Sequence, residues 1–266
     1  MTGYGRRSLQ KSADLMVDNL AERIVSAPGD RAVLRRMVGH PPGHLTARPV
    51  HKVIYDCLKD GDGRPHGLPE DPAGEWAFYA VASMMADQPR DARDARKAEA
   101  PEESGREESG RGPGAVSPDG SGDAADGDPA DSGGEAAPEQ EPSGGEMRLR
   151  KSERRPNLGV SLAGGVKDGV FKAETTEKRL HRLCRLDLAG LHKRLPALVR
   201  HARADLVDLD WGVLVVDLAR WESERDEVAK EWLQAYHRTR NYDLYQEQKK
   251  KQETAAPAAQ SDEQEQ

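Results

Sequence analysis

The sequence predicts an all-α protein made of two small helical bundles joined by a long acidic insertion. Three observations predict it. Apolar residues recur at helical spacing on both sides of the chain's middle. No run of alternating apolar and polar residues is bounded by hairpin turns. Between Tyr79 and Phe171 there is no Phe, Trp or Tyr, and residues 101–147 hold 11 Gly and 6 Pro. Such a stretch buries too little apolar surface to offset the entropy of ordering it, so 88–150 reads as a disordered insertion. The expected organisation is an N-terminal helical lobe over 1–87, the insertion over 88–150, a C-terminal helical lobe over 151–248 and a disordered tail over 249–266.

The N-terminal lobe divides into four helices. Over residues 8–26, Leu9, Ala13, Met16, Val17, Leu20 and Ile24 follow one helical face. After Pro28-Gly29, Asp30 is placed to cap a short helix with Leu34, Met37 and Val38 inward and Arg31, Arg35 and Arg36 on its other side. Pro41-Pro42-Gly43 ends that segment. Residues 49–60 form a third helix around Val50, Val53, Ile54, Cys57 and Leu58. Asp71-Pro72 is a strong start for a fourth, a capping residue followed by Pro at the first helical position, and this helix runs to about Asp87.

The C-terminal lobe opens on the basic run Arg148, Arg150, Lys151, Arg154 and Arg155. The stretch from Leu158 to Gly169 contains Gly159, Gly164, Gly165 and Gly169 and reads as a hinge loop. A helix over 175–186 places Leu180, Leu183 and Cys184 inward. Asp187 caps the next, 188–206, whose Leu188, Leu191, Leu195, Leu198, Val199, Ala202 and Leu206 line one face; Pro196 lies inside the pattern and is expected to kink it. Asp210 caps a helix closed by Trp221, and a last long helix covers about 223–248.

Charge separates the chain into opposed parts. Residues 91–146 carry 16 acidic and 5 basic side chains, and 251–266 carry four acidic and one basic. The whole chain is −7, so the part expected to fold is +7, most of it in 147–250 with 22 basic and 16 acidic residues. That balance suits a polyanionic partner. Two cysteines, Cys57 and Cys184, form no CxxC pair, which fits a reducing compartment. The opening MTGYGRRSLQKSADL lacks an apolar core of signal-peptide length, and the longest apolar run, near Val213–Val216, is too short to span a bilayer. A cytoplasmic location is expected.

The sequence offers little to an enzyme. The eight histidines form no HExxH and no zinc-finger spacing, and His40 and His44, flanking Pro-Pro-Gly, lack a third ligand. No GxSxG, P-loop or dinucleotide fingerprint is present. Asp205, Asp208 and Asp210 cluster between helices but read as loop and capping groups. Trp76, Trp211 and Trp232 fall on apolar faces and read as core rather than base-stacking platforms. No catalytic residue, metal or cofactor is expected. The basic residues are more informative: Arg179, Arg182 and Arg185 drift along one side of a helix, and Lys193, Arg194, Arg200 and Arg203 lie off the apolar stripe of 188–206. Phosphate contact needs charge and reach rather than a fixed motif. The opposing reading pairs these residues with Glu174, Glu177 and Asp187.

Several stretches carry a resemblance together. They are Gly29-Asp-Arg-Ala-Val-Leu-Arg-Arg36, Glu75-Trp-Ala-Phe-Tyr-Ala-Val-Ala82, Asn157-Leu-Gly-Val-Ser-Leu162, Glu177-Lys-Arg-Leu-His-Arg-Leu183, Asp210-Trp-Gly-Val-Leu-Val-Val-Asp-Leu-Ala-Arg-Trp221 and Val228-Ala-Lys-Glu-Trp232. In this order the chain resembles the CasB family, the small subunit of the type I-E Cascade surveillance complex of CRISPR antiviral defence, over about 20–90 and 155–240. The resemblance implies two helical bundles and a non-catalytic subunit present in more than one copy. It implies contacts with the guide-RNA-holding backbone subunits and the large subunit, and stabilisation of the R-loop and its displaced non-target strand in target DNA. The nucleic-acid-binding positions it implies are Arg31, Arg35, Arg36, Arg179, Arg182 and Arg185, with Lys193, Arg200 and Arg203 following by proximity. The acidic insertion departs from the family pattern. A protein-only helical adaptor and a helix-turn-helix regulator are the rival expectations, and the apolar helix after Asp210 argues against the second.

Overall fold

The computed structural model describes residues 5–93 and 155–255. Its elements, in chain order, are α1 (Arg6–Ser26), α2 (Pro28–Arg35), a 3₁₀ turn (Leu45–Ala47), α3 (Arg48–Cys57), α4 (Pro72–Ala86), α5 (Leu158–Lys167), α6 (Ala173–Cys184), α7 (Leu188–Ala204) and α8 (Trp211–Ala255). Among the described residues no strand forms, only an isolated bridge between Lys59 and Pro65. The protein is all-α, as its periodicity predicts.

Capping side chains set the helix starts. Asp71 accepts a hydrogen bond from the Gly74 amide at 2.6 Å, and Asp187 from Gly190 at 2.8 Å. Asn157 accepts from Val160 at 3.2 Å, and Asp210 from Val213 at 2.9 Å. Each satisfies an amide that has no intrahelical acceptor. Asp30 is a correction: it lies inside the first turn of α2 rather than capping it, and pairs with Arg23 at 2.6 Å.

The hinge-loop expectation for 158–169 is also corrected. Leu158–Lys167 is helix, and two of its glycines are there for proximity. A Cβ on Gly159 would lie 2.0 Å from the Trp232 carbonyl oxygen, and one on Gly165 would lie 2.7 Å from the Phe171 ring. Only a residue without a side chain at 159 lets α5 seat this closely against α8, and only one at 165 leaves room for the Phe171 ring.

The 45-residue α8 is not straight. Glu224 leaves helical geometry (φ −131°, ψ 30°). Fifteen residues of straight helix would separate Asp217 from Trp232 by about 22 Å. Yet the Trp232 indole N–H donates to Asp217 at 2.6 Å, and the Trp221 and Trp232 rings lie 5.0 Å apart. The chain therefore reverses near Glu224, and the two arms pack on each other, matching the expected boundary at Trp221–Ser223. Arg220 braces the reversal, reaching Glu224 at 2.7 Å and Glu231 at 3.2 Å.

The core collects residues from both sides of the insertion. Tyr79 and Phe78 of α4 and Trp221, Trp232 and Tyr236 of α8 are among its fully or nearly fully buried side chains. Twelve residues of α4 are buried, which fits a central helix packed against α1, α2, α7 and α8. Arg155 adds a polar tie: its guanidinium takes both carboxylate oxygens of Asp210 at 2.6 Å and reaches Asp14 of α1 at 2.7 Å. The described residues belong to one compact unit.

Two boundaries differ from expectation. Residues 88–93 pack into the fold, with Gln88 and Ala92 buried, because Arg203 holds them. Helix α8 runs on to Ala255, past the expected end at 248. The rest of the acidic insertion, 94–154, and the tail beyond 255 lie outside the described residues. α7 continues through Pro196, which is buried. No described helix is long and apolar enough to cross a membrane.

Candidate nucleic-acid interface

Helices α6 and α7 are joined by a turn at Arg185–Asp187, and their facing sides leave a groove of about 530 Å³. Arg179, Arg182, Arg194 and His201 line it, above a floor that includes Leu183, Leu186 and Leu198. Helical spacing puts Arg179 and Arg182 on one side of α6, and Arg194, Ala197 and His201 on the facing side of α7. A second groove of about 630 Å³ adjoins it through Ala197 and His201 and is lined by Lys193, Arg200, Val38 and Asp87. The basic side chains thus follow a continuous track along α7.

The acids expected to neutralise this track are engaged elsewhere. Glu174 pairs with Lys178 at 2.5 Å, Glu177 lies nearest His181 and His237, and Asp187 caps α7. Among the described residues no carboxylate pairs with Arg179, Arg182, Arg185, Lys193 or Arg194, and all five are exposed. Exposed cations without carboxylate partners have no ion pair to break on meeting phosphate.

The predicted residues divide into four groups. Arg179 and Arg182 face the first groove and Lys193 and Arg200 the second. Arg185, at the C-cap of α6, is exposed but lines neither groove. Arg31, Arg35 and Arg36 sit on and just after α2. Arg35 reaches Asp87 at 3.1 Å, and Arg200 shares that carboxylate at 3.6 Å, so Asp87 links this helix to the α7 track. Arg203 is a correction. It is buried, and its guanidinium donates to Gln88, the Val207 carbonyl and the Ala92 carbonyl at 2.8–3.0 Å. It fastens residues 88–93 to α7 and is not available to a ligand. His201 is a groove residue that sequence reading passed over; its spacing from Arg194 on α7 was the available signal.

Other candidate groups are structural. Trp211, Trp221 and Trp232 are buried, and Trp76 stacks on the buried His192 ring at 4.3 Å. Burial pushes the Cys57 and Cys184 thiols up to about 11, so neither is an activated nucleophile. His40 and His44 stack at 4.4 Å, with His44 Nδ1 engaged by Thr46.

The comparisons bear on this arrangement. The model of the family described as CRISPR-associated protein Cse2 matches residues 30–237. A search of curated proteins finds no match. Among solved structures, a chain of a "CRISPR RNA-guided surveillance complex" is 34% identical with a TM-score of 0.62, the alignment covering 90% of this chain and 98% of that one. A chain of a pre-nicking "CRISPR RNA-guided surveillance complex" is 35% identical with a TM-score of 0.62, covering 89% of this chain and 98% of that one. The crystal structure of M. ruber CasB matches at 18% identity and a TM-score of 0.48, covering 85% of this chain and 97% of that one.

Proposed function

From the chain's membership of the CRISPR-associated Cse2 family, we propose that it is a non-catalytic small subunit of a CRISPR RNA-guided surveillance complex that holds single-stranded nucleic acid along the α6–α7 grooves. The observation that carries this reading is the set of exposed cations, Arg179, Arg182, Lys193 and Arg194, with no carboxylate partner among the described residues. The relatives at 34% and 35% identity, chains of complexes so named, support the assembly.

The mechanism is electrostatic and indifferent to sequence. A strand laid in the groove releases counterions as its phosphates meet these side chains. Contacts to phosphate position a strand without reading it. R-loop formation is a near-balanced exchange of duplexes, so a few contacts to the displaced strand shift it toward the open state. The isolated subunit binds weakly, because its short track joins those of other subunits only on assembly. Arg31, Arg35 and Arg36 extend the track, and Arg185 lies beside it. The partners are the backbone and large subunits, guide RNA and target DNA in the cytoplasm, with more than one copy of this chain per complex.

The test is co-expression with the other subunits and a guide RNA, followed by affinity capture and an R-loop lifetime assay. The chain is expected to co-purify, and its omission or the R179E/R182E/R194E substitution to shorten R-loop lifetime at least tenfold. Failure to co-purify refutes the assignment to the complex. The apolar floor of Leu183, Leu186 and Leu198 favours one second reading, in which the groove takes a segment of a neighbouring subunit. That reading is supported if R179E/R182E/R194E abolishes co-purification of the chain where the wild type co-purifies.

A further inference from the structure

Glu177 and His181 are one turn apart on α6, so they share a face. His237, on the second arm of α8, meets them across the seam. Glu177 Oε1 lies 3.9 Å from His181 Nε2 and 3.9 Å from His237 Nε2. The three donor atoms all fall within 4.8 Å of one another. In a tetrahedral site with bonds near 2.0–2.1 Å, donor atoms stand about 3.4 Å apart. Closure therefore needs side-chain swings of about half an ångström to somewhat over one.

The surroundings permit that swing and hold the frame. The three side chains are 45–46% exposed. Among the described residues neither imidazole is fixed by a hydrogen bond. The backbone on both sides is fixed instead. Tyr236, next to His237, is buried and donates its hydroxyl to the carbonyl of Ala173, the first residue of α6, at 3.1 Å. The helices thus present three donors, held toward one another by these 3.9 Å contacts, from a packed seam.

We propose that Glu177, His181 and His237 form a binding site for a zinc-class divalent cation, joining α6 to the second arm of α8. Two imidazoles and one carboxylate are a donor set for Zn²⁺, Co²⁺, Ni²⁺ or Cu²⁺. One carboxylate is too few for Ca²⁺, and imidazole is a poor donor for Mg²⁺. Three protein donors leave a fourth position to water or to an oxygen of a neighbouring molecule. The site lies across α6 from Arg179 and Arg182, so an ion there stiffens the helix that carries them without occupying the groove. This inference does not depend on the nucleic-acid reading.

The test uses the untagged full-length chain, stripped with chelator and titrated with ZnCl₂ by calorimetry, with Co²⁺ absorption as a second readout. One equivalent is expected to bind saturably. H181A, H237A and E177Q are each expected to weaken binding at least tenfold and to lose the intense visible Co²⁺ bands of tetrahedral geometry. H40A/H44A is expected to bind as the wild type does. E177Q preserves side-chain shape, and circular dichroism verifies that each variant is folded. No saturable binding, or equal binding by H181A, H237A, E177Q and wild type, overturns the proposal.

Discussion

Two buried ionisable groups hold opposite positions on the pH scale. Asp217 is almost fully buried, and burial pushes its carboxyl up to about 6, although the Trp232 indole donates to it and Arg220 lies 3.9 Å away. His192 is buried against Trp76, neither ring nitrogen has a hydrogen-bond partner among the described residues, and burial pushes it down to about 4. An ordinary carboxyl titrates near 3.9 and an ordinary imidazole near 6.5. The raised Asp217 value contributes stability that is complete below about 4 and lost as pH rises through about 6. The lowered His192 value contributes stability that is complete above about 6.5 and lost as pH falls through about 4. The two therefore offset each other between these limits. Relative to wild type, D217N is expected to gain Tm progressively as pH rises from about 4 to 6.5. H192F, which keeps the ring stack, is expected to gain as pH falls over the same range. Thermal melts across that range check both, and parallel curves would contradict the assignments. Leu206 provides a third residue-scale expectation. Its amide bonds the Arg203 carbonyl, the Val207 amide bonds the Ala202 carbonyl, and its φ is +59°. This is the Schellman termination of α7, with leucine at the left-handed position where glycine is favoured. Leu206 is 51% exposed, so L206G is expected to add about 1 kcal/mol in chemical denaturation.

Among the elements, α5 shows best what local sequence does and does not carry. Its three glycines, Gly159, Gly164 and Gly165, argue against helix by propensity. The compensation comes from Trp232 and Phe171, whose proximity no local spacing reveals. Gly159 and Gly164 separate the two effects. G159A must push a Cβ into the Trp232 carbonyl at 2.0 Å and is expected to cost about 3 kcal/mol or more. Nothing stands within 4 Å of a Cβ on Gly164, so G164A is expected to stabilise by about 0.5–1 kcal/mol. Urea unfolding of the pair distinguishes them, and equal effects would contradict the close-contact account. The capped helices were legible because Asp71, Asp187 and Asp210 stand immediately before their apolar periods. A break after Trp221 was legible because the polar run from Glu222 to Glu227 interrupts the apolar period. Its depth, a reversal that brings Asp217 to Trp232, was not, because it depends on a contact across the turn.

At the scale of the molecule, periodicity and charge placed Arg179, Arg182, Lys193 and Arg200 on exposed faces, and the structure gathers them beside two adjoining grooves. Arg203 satisfied the same sequence criterion and is buried, because Gln88 and Ala92 return to α7 from far along the chain. Surface and core arginines look alike until their partners are known. The central claim is that the α6–α7 track neutralises phosphates of a single strand. The most direct measurement is the salt dependence of displaced-strand retention by the assembled complex, with wild-type chain and with R179E/R182E. Each phosphate contact on a single strand contributes about 0.7 to the log–log slope. Loss of two contacts is therefore expected to lower the slope by about 1.4 while the complex stays intact. An unchanged slope in an intact complex would contradict the claim.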